Sequence, residues 1–224
     1  MSMDSEEYAK ESWRLFRIMS EFVMGFDVLA QLRPAVTIFG SSRVQEGDPV
    51  YELARTVGRR LGQAGFSIVT GGGPGIMEAA NRGALEMGAS SAGLTIKLPE
   101  EQEPNAYQTL SLNSRYFFVR NVMLVKYATA FALFPGGFGT FDEFFETITL
   151  IQTGKVRRFP IVLVGRDYWP GLIEWMERQF LDRAYISDAD SALFEVVDTP
   201  DEVLRIVTAA QRSYGRSVDN VRLA

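Results

Sequence analysis

The chain has 224 residues, 46% of them hydrophobic, and a net charge of −5. That is ample material for one α/β domain with a sizeable core, and the acidic balance argues against nucleic acid as a partner. Histidine and cysteine are both absent, which excludes His-dependent triads, imidazole acid–base chemistry, disulfides and thiolate metal sites.

Residues 5–32 read as one long helix. Tyr8, Ser12, Leu15, Met19, Phe22, Phe26 and Leu29 recur at spacings of four and three, with Phe16, Val23 and Ala30 widening the stripe. Such a stripe serves either a helix packed on its own domain or one paired between subunits. Ala35–Phe39 is the first expected strand, followed at once by Gly40-Ser41-Ser42-Arg43. A helix over about 49–64 leads to a second strand, Phe66–Val69, and Thr70-Gly71-Gly72-Gly73-Pro74-Gly75 opens the helix Ile76–Met87. Ala92–Lys97 is the third strand. Leu98–Leu110 is polar and contains proline, which predicts an irregular excursion.

A helix is expected over Asn113–Tyr127, then the apolar run Phe131–Phe134, the signature of a strand buried on both faces. The run breaks at Pro135-Gly136-Gly137 and resumes as a helix from about Thr140 to Ile151, with Asp142 and Glu143 in its first turn. Phe159–Val164 is a further strand and Trp169–Phe180 a helix. Val196-Val197 makes a short edge strand, and Pro200 opens the last helix, about 200–212. The tail after Gly215 is expected to be loose.

Strands alternating with helices predict one Rossmann-like domain over 1–224. Its core (35–213) is a doubly wound parallel sheet, preceded by the extended N-terminal helix. Right-handed crossovers place all the strand C-termini on one edge. Gly40-Ser41, Gly71–Gly75 and Gly136–Thr140 should therefore open together there. Backbone N–H groups at a helix N-terminus after such glycines make an anion site, most naturally for phosphate.

None of the turns is a dinucleotide fingerprint. Ile76 stands where Gly71-x-Gly73 would need its third glycine, Asp142 stands there after Gly137-x-Gly139, and Gly154-Lys155 is followed by Val156 rather than Ser or Thr. Without histidine, catalysis falls to carboxylates, Arg, Lys, Tyr or backbone dipoles, and nineteen arginines against four lysines favour Arg as the binder of planar anions. No apolar run approaches the ~20 residues that cross a bilayer. The acids Asp4, Glu6 and Glu7 do not fit the order of a signal peptide. A cytoplasmic protein without a membrane partner, metal or cofactor is expected.

Pro135-Gly136-Gly137-Phe138-Gly139-Thr140-Phe141-Asp142-Glu143 resembles the Pro-Gly-Gly-x-Gly-Thr-x-x-Glu motif of the LOG family of cytokinin-activating phosphoribohydrolases. Gly71–Asn81 resembles the family's second glycine element and Phe39–Arg43 its first, so the likeness runs from about residue 35 to 180. The resemblance implies hydrolysis of the N-glycosidic bond of AMP or an N6-substituted AMP, releasing free base and ribose 5-phosphate. It implies Glu143 and Arg120 as the catalytic pair, with Asn121 in place of the family's usual Lys after the Arg. Ser41, Gly72, Gly73, Gly75, Gly136, Gly137, Gly139 and Thr140 would bind phosphate and substrate, and Asp142 would serve the helix dipole. The extended first helix is similar to that of longer bacterial members, which form higher oligomers, so a homodimer or larger homo-oligomer is expected. Many members carry the older label lysine decarboxylase. That chemistry uses a pyridoxal Schiff base, usually beside a histidine, and this chain has none. Molybdenum-cofactor carriers share the fold and resemble the same glycine elements, leaving a non-catalytic binding protein as the alternative.

Overall fold

A computed structural model describes residues 5–32, 34–97 and 103–214. The tail expected to be loose after Gly215 lies outside the described residues. The elements run α1 (Ser5–Leu29), β1 (Ala35–Phe39), α2 (Pro49–Gln63), β2 (Ser67–Thr70), α3 (Ile76–Glu86), β3 (Ser91–Ile96) and β4 (Leu110–Ser114). They continue with α4 (Phe117–Lys126), β5 (Ala128–Leu133), α5 (Phe138–Gln152), β6 (Ile161–Val164), α6 (Pro170–Met176), α7 (Asp188–Ser191), β7 (Phe194–Val197) and α8 (Pro200–Tyr214). A π-helical turn, Glu177–Leu181, extends α6.

The seven strands form one parallel sheet in the order β4-β3-β2-β1-β5-β6-β7. The central strands β1 and β5 are buried throughout and mostly apolar, with Thr37 and Thr129 the exceptions, because both faces are covered. Val36 and Ile38 of β1, with Ala130 and Ala132 of β5, join a core with α2, α3 and α8. Ala35, Phe39, Phe131 and Leu133 point the other way, into a core with α4 and α5. Chain order reverses between β1 and β5, which pair through Ile38–Ala132 and Phe39–Leu133. Sheets of this kind bind ligands outside the strand C-termini at such a reversal. Here that point lies between Gly40-Ser41 and Pro135–Thr140.

Several boundaries differ from the sequence reading and α7 was not expected, and three of the differences matter most here. Leu110–Ser114, read as loop and helix start, is the edge strand β4, and α4 begins only at Phe117. An edge strand needs few apolar residues, and Leu110 and Leu112 alone alternate toward the core. α1 ends at Leu29 rather than at 32. α5 begins at Phe138, so Asp142 and Glu143 lie past the first turn, and Asp142 is exposed rather than a first-turn dipole partner.

The C-terminal half of α1 packs on α4. Phe26 meets Tyr127, whose hydroxyl donates to the Phe26 carbonyl at 3.2 Å, and the Glu21 carboxylate accepts the Arg115 N–H. The other half stands away, with Trp13 65% and Phe16 61% exposed and Leu15, Met19 and Val23 beside them in solvent. No helix among the described residues is long and apolar enough to cross a membrane.

Candidate active site

Ser41 ties the three glycine turns into one structure. Its N–H donates to the Pro135 carbonyl at 3.0 Å, its carbonyl accepts the Ile76 N–H at 3.0 Å, and its hydroxyl accepts the Arg43 N–H at 3.1 Å. At Gly75, φ is +71° and an added Cβ would overlap the Ser41 carbonyl, so only glycine fits. Ser41 is thus a backbone clasp, drawing the β2–α3 turn and the β5–α5 turn onto the end of β1.

A cleft of about 520 Å³ opens at this junction. Gly137, Gly139, Thr140 and Glu143 line it from α5, Arg120 and Leu124 from α4, Ser41, Ser42 and Arg43 from β1, and Gly71 and Met77 from β2–α3. Of the residues expected at the site, Ser41, Arg120, Gly137, Gly139, Thr140 and Glu143 meet in the cleft. Gly72, Gly73, Gly75 and Gly136 do not line it and instead shape the turns behind it. A broader depression of about 810 Å³ runs along the outer side of α5 beside Phe141, Phe145 and Leu150, but neither Glu143 nor Arg120 reaches it. The Glu143–Arg120 pair belongs to the smaller cleft.

The α5 N-terminus supplies donors. No side chain caps it, and the first N–H groups taken up are those of Thr140 and Phe141, both by the Gly137 carbonyl at 3.0 and 3.2 Å. The preceding N–H groups of a helix have no partner within it. Gly137 and Gly139 have negative or helical φ and open space where a Cβ would stand. Neither backbone nor packing requires glycine at these two positions, which cost helix-end stability without return unless something else occupies that space.

Glu143 lies beneath this turn, 2% exposed, with no hydrogen bond to either carboxylate oxygen. Arg120 Nη2 is 3.6 Å from its Oε1, close enough for attraction but too far for a hydrogen bond. The guanidinium packs over the Phe117 ring at 5.1 Å, and its Nε has no partner. Burial pushes Glu143 from 4.5 up to about 8, against the pull of Arg120 and with Glu146 and Asp142 adding to the rise. Burial also lowers Arg120, partly offset by Glu143. Desolvation outweighs the ion pair for both partners. Buried polar groups are almost always paired in folded proteins, which sets this pair apart among the described residues.

The buried carboxyl gives a signature in stability. Between pH 4.5 and about 8 the unfolded chain has released the Glu143 proton and the folded chain has kept it. Stability therefore falls as pH rises through this window, by up to about 1.4 kcal/mol per pH unit from this group. Glu143→Gln has no proton to lose. Its unfolding temperature should fall less than wild type's between pH 5 and 8, measured by thermal unfolding in matched buffers. Parallel curves for the two proteins would mean that Glu143 is not buried protonated.

A polar network holds the second turn and was not read from the sequence. Asn81, fully buried, accepts from Thr70 Oγ1 at 2.7 Å and donates to Ser91 Oγ at 2.8 Å. Asn105 donates through its N–H to the Gly72 carbonyl and through its side chain to the Gly73 carbonyl, both at 2.9 Å, and Gln108 Nε2 also reaches Gly72 O at 2.8 Å. Asn105 and Gln108 lie outside the glycine elements, and only the return of 103–109 past β2 brings them to this turn. Leu124 was missed for the same reason, whereas Arg43 and Met77 lie within the quoted glycine elements but were not singled out there as cleft residues. Asn121 Nδ2 donates to Glu146 Oε2 at 2.8 Å, so the residue in place of the usual Lys holds a neighbouring carboxylate by a neutral donor.

Comparison with known proteins agrees with this architecture. Residues 77–207 match the model of a family described as "Possible lysine decarboxylase". A cytokinin riboside 5′-monophosphate phosphoribohydrolase of Mycobacterium tuberculosis is 30% identical over 159 residues, 69% of this chain and 83% of that protein. Its counterpart from Rhodococcoides fascians is 27% identical over 158 residues, 67% and 79% of the two chains. Among solved structures, a molybdenum cofactor carrier protein from Chlamydomonas reinhardtii shares the fold with a TM-score of 0.60 at 17% identity, covering 80% of this chain and 98% of that one. With more than half of its length matched by the family model and its glycine motif set around a buried glutamate, this chain belongs to the LOG family, the phosphoribohydrolase-like family that bears the lysine decarboxylase description.

Proposed function

We propose that the protein is a nucleoside 5′-monophosphate phosphoribohydrolase acting on AMP or an N6-substituted AMP in the cytoplasm. The observation that carries this reading is the pairing, within one cleft, of an uncapped helix N-terminus with a buried, unpartnered Glu143–Arg120 pair. The relatives' activity supports it. No lysine lines the cleft, so a Schiff-base decarboxylase has no nucleophile there.

The 5′-phosphate binds the N–H groups of Gly137, Phe138 and Gly139 and the positive end of α5, with Thr140 and Ser41 beside it. This sets the ribose over Glu143. The bond from C1′ to the base nitrogen breaks with its electron pair on the base, and water adds its oxygen to C1′ while its proton balances the base. Positive charge growing on the ribose in the transition state favours the ionised form of Glu143, and a carboxylate buried there is far more effective than one in water. Arg120 stabilises the negative charge of the departing base; a guanidinium releases its proton too reluctantly to be the acid.

The test is a panel of purine and pyrimidine nucleoside 5′-monophosphates, with free base and ribose 5-phosphate measured together. Equimolar release from the adenine nucleotides is the expected result. Tight binding of a nucleotide with no base released would favour the carrier alternative.

The working form is a homo-oligomer joined through α1. Trp13 and Phe16, whose rings lie 6.1 Å apart, form an exposed apolar surface on the N-terminal half of this helix. Trp13→Glu with Phe16→Glu should reduce the mass seen by light scattering without unfolding the chain. An unchanged mass would assign assembly to another surface.

A further inference from the structure

The cleft works as an anion site only if the peptide planes of the β5–α5 turn keep their N–H groups inward, and nothing in the turn's own sequence enforces this. In a trans peptide the carbonyl and the following N–H point in opposite directions. Rotation of the Gly136–Gly137 plane would replace the Gly137 donor by the Gly136 carbonyl, a partial negative charge facing a phosphate. Glycine on both sides makes that rotation easy.

One side chain from outside the turn opposes it. Tyr168 stands in the loop between β6 and α6, and its hydroxyl donates to the Gly136 carbonyl at 2.6 Å. The ring is braced edge-on against Trp169 at 4.9 Å and against Phe141 at 6.4 Å. Trp169 is itself fully buried, with its indole N–H on the Val164 carbonyl at 3.1 Å. The Tyr168 N–H is tied to the Gly165 carbonyl at 3.1 Å. The hydroxyl is therefore held by the end of β6 rather than by a mobile arm. Tyr168 does not line the cleft, whereas Gly137 does, so the Gly136 carbonyl points away from the ligand space. The preceding Pro135 carbonyl is taken from the other neighbour of β5, by the Ser41 N–H after β1. Two consecutive carbonyls of the turn are thus each held by a donor from a flanking strand's loop.

We infer that Tyr168 is a positioning residue for phosphate recognition, locking the Gly136–Gly137 peptide so that its N–H faces the cleft. The inference rests on the reading of this turn as the phosphate site. Tyr168 touches no substrate, and its contribution falls only on ligands that carry the phosphate.

Tyr168→Phe keeps the ring and its packing and removes the hydroxyl alone. Binding of ribose 5-phosphate by calorimetry should weaken about tenfold, the loss of one hydrogen bond's worth of preorganisation, ~1.4 kcal/mol. kcat/KM for AMP should fall by a similar factor while that for adenosine stays at the wild-type value, a split that general loosening of the fold would not produce. Unchanged affinity for ribose 5-phosphate, or equal losses on AMP and adenosine, would overturn the role given to Tyr168 and leave the phosphate site standing. Wild-type protein that binds no ribose 5-phosphate would overturn the phosphate site and this inference together.

Discussion

Glu143→Gln should lower AMP turnover by ~10²-fold or more while the protein stays folded, because one lost electrostatic contact to a transition-state charge typically costs about 3 kcal/mol. The amide keeps the shape of the carboxyl and is easier to bury, so the loss cannot be ascribed to unfolding. Arg120→Ala should produce a loss of similar size for a different reason. It removes the cation 3.6 Å from Glu143 Oε1, leaving the carboxyl still harder to ionise and the departing base without a positive partner. Groups that act as a unit are not additive. The double variant should therefore be little worse than the poorer single one. Steady-state kcat on AMP, with unfolding temperatures as the control, checks all three, and a double variant that turns over at the wild-type rate would remove the site from this cleft.

The second large effect concerns the phosphate. Adenosine should be hydrolysed with kcat/KM lower than that of AMP by ~10³-fold or more. A dianion on the uncapped α5 N-terminus gains several charge-assisted hydrogen bonds of roughly 1.5–3 kcal/mol each, and about 4 kcal/mol already corresponds to three decades in rate. Binding energy from this non-reacting group also fixes the ribose over Glu143, so the loss extends beyond KM. Adding a bulky N6 substituent to adenine should cost less, since Met77 and Leu124 in the cleft lining offer the base no charged anchor. Adenosine hydrolysed as well as AMP would sink the assignment of the α5 turn.

The strand–turn–helix at 128–152 was legible because its code is local: an apolar run buried on both faces, a break at Pro135-Gly136-Gly137, then helical spacing of Phe141, Phe144, Phe145 and Ile148. The parallel sheet followed from the alternation of such units. The strand β4 was not legible, because an edge strand with Ser111, Asn113 and Ser114 imitates a loop leading to a helix cap. Ser41 could be placed near the cleft but not understood, since its work is done by backbone groups whose partners, Pro135 and Ile76, are remote in sequence. Spacing alone did not decide between a dipole role and a catalytic one for Asp142 and Glu143; the family motif singled out Glu143, and packing agrees, burying Glu143 under the turn and leaving Asp142 in solvent. Tyr168 belongs to no motif, and its contact with Gly136 arises from the adjacency of β5 and β6 in the sheet.

The most direct measurement is the stoichiometry of products from AMP with the full chain, run beside Glu143→Gln at equal concentration. Adenine and ribose 5-phosphate should appear in equal amounts with the wild type and at about a hundredth of that rate or less with the variant. AMP bound but recovered intact from the wild type, or released base at the same rate from both proteins, would contradict a hydrolase that works through Glu143.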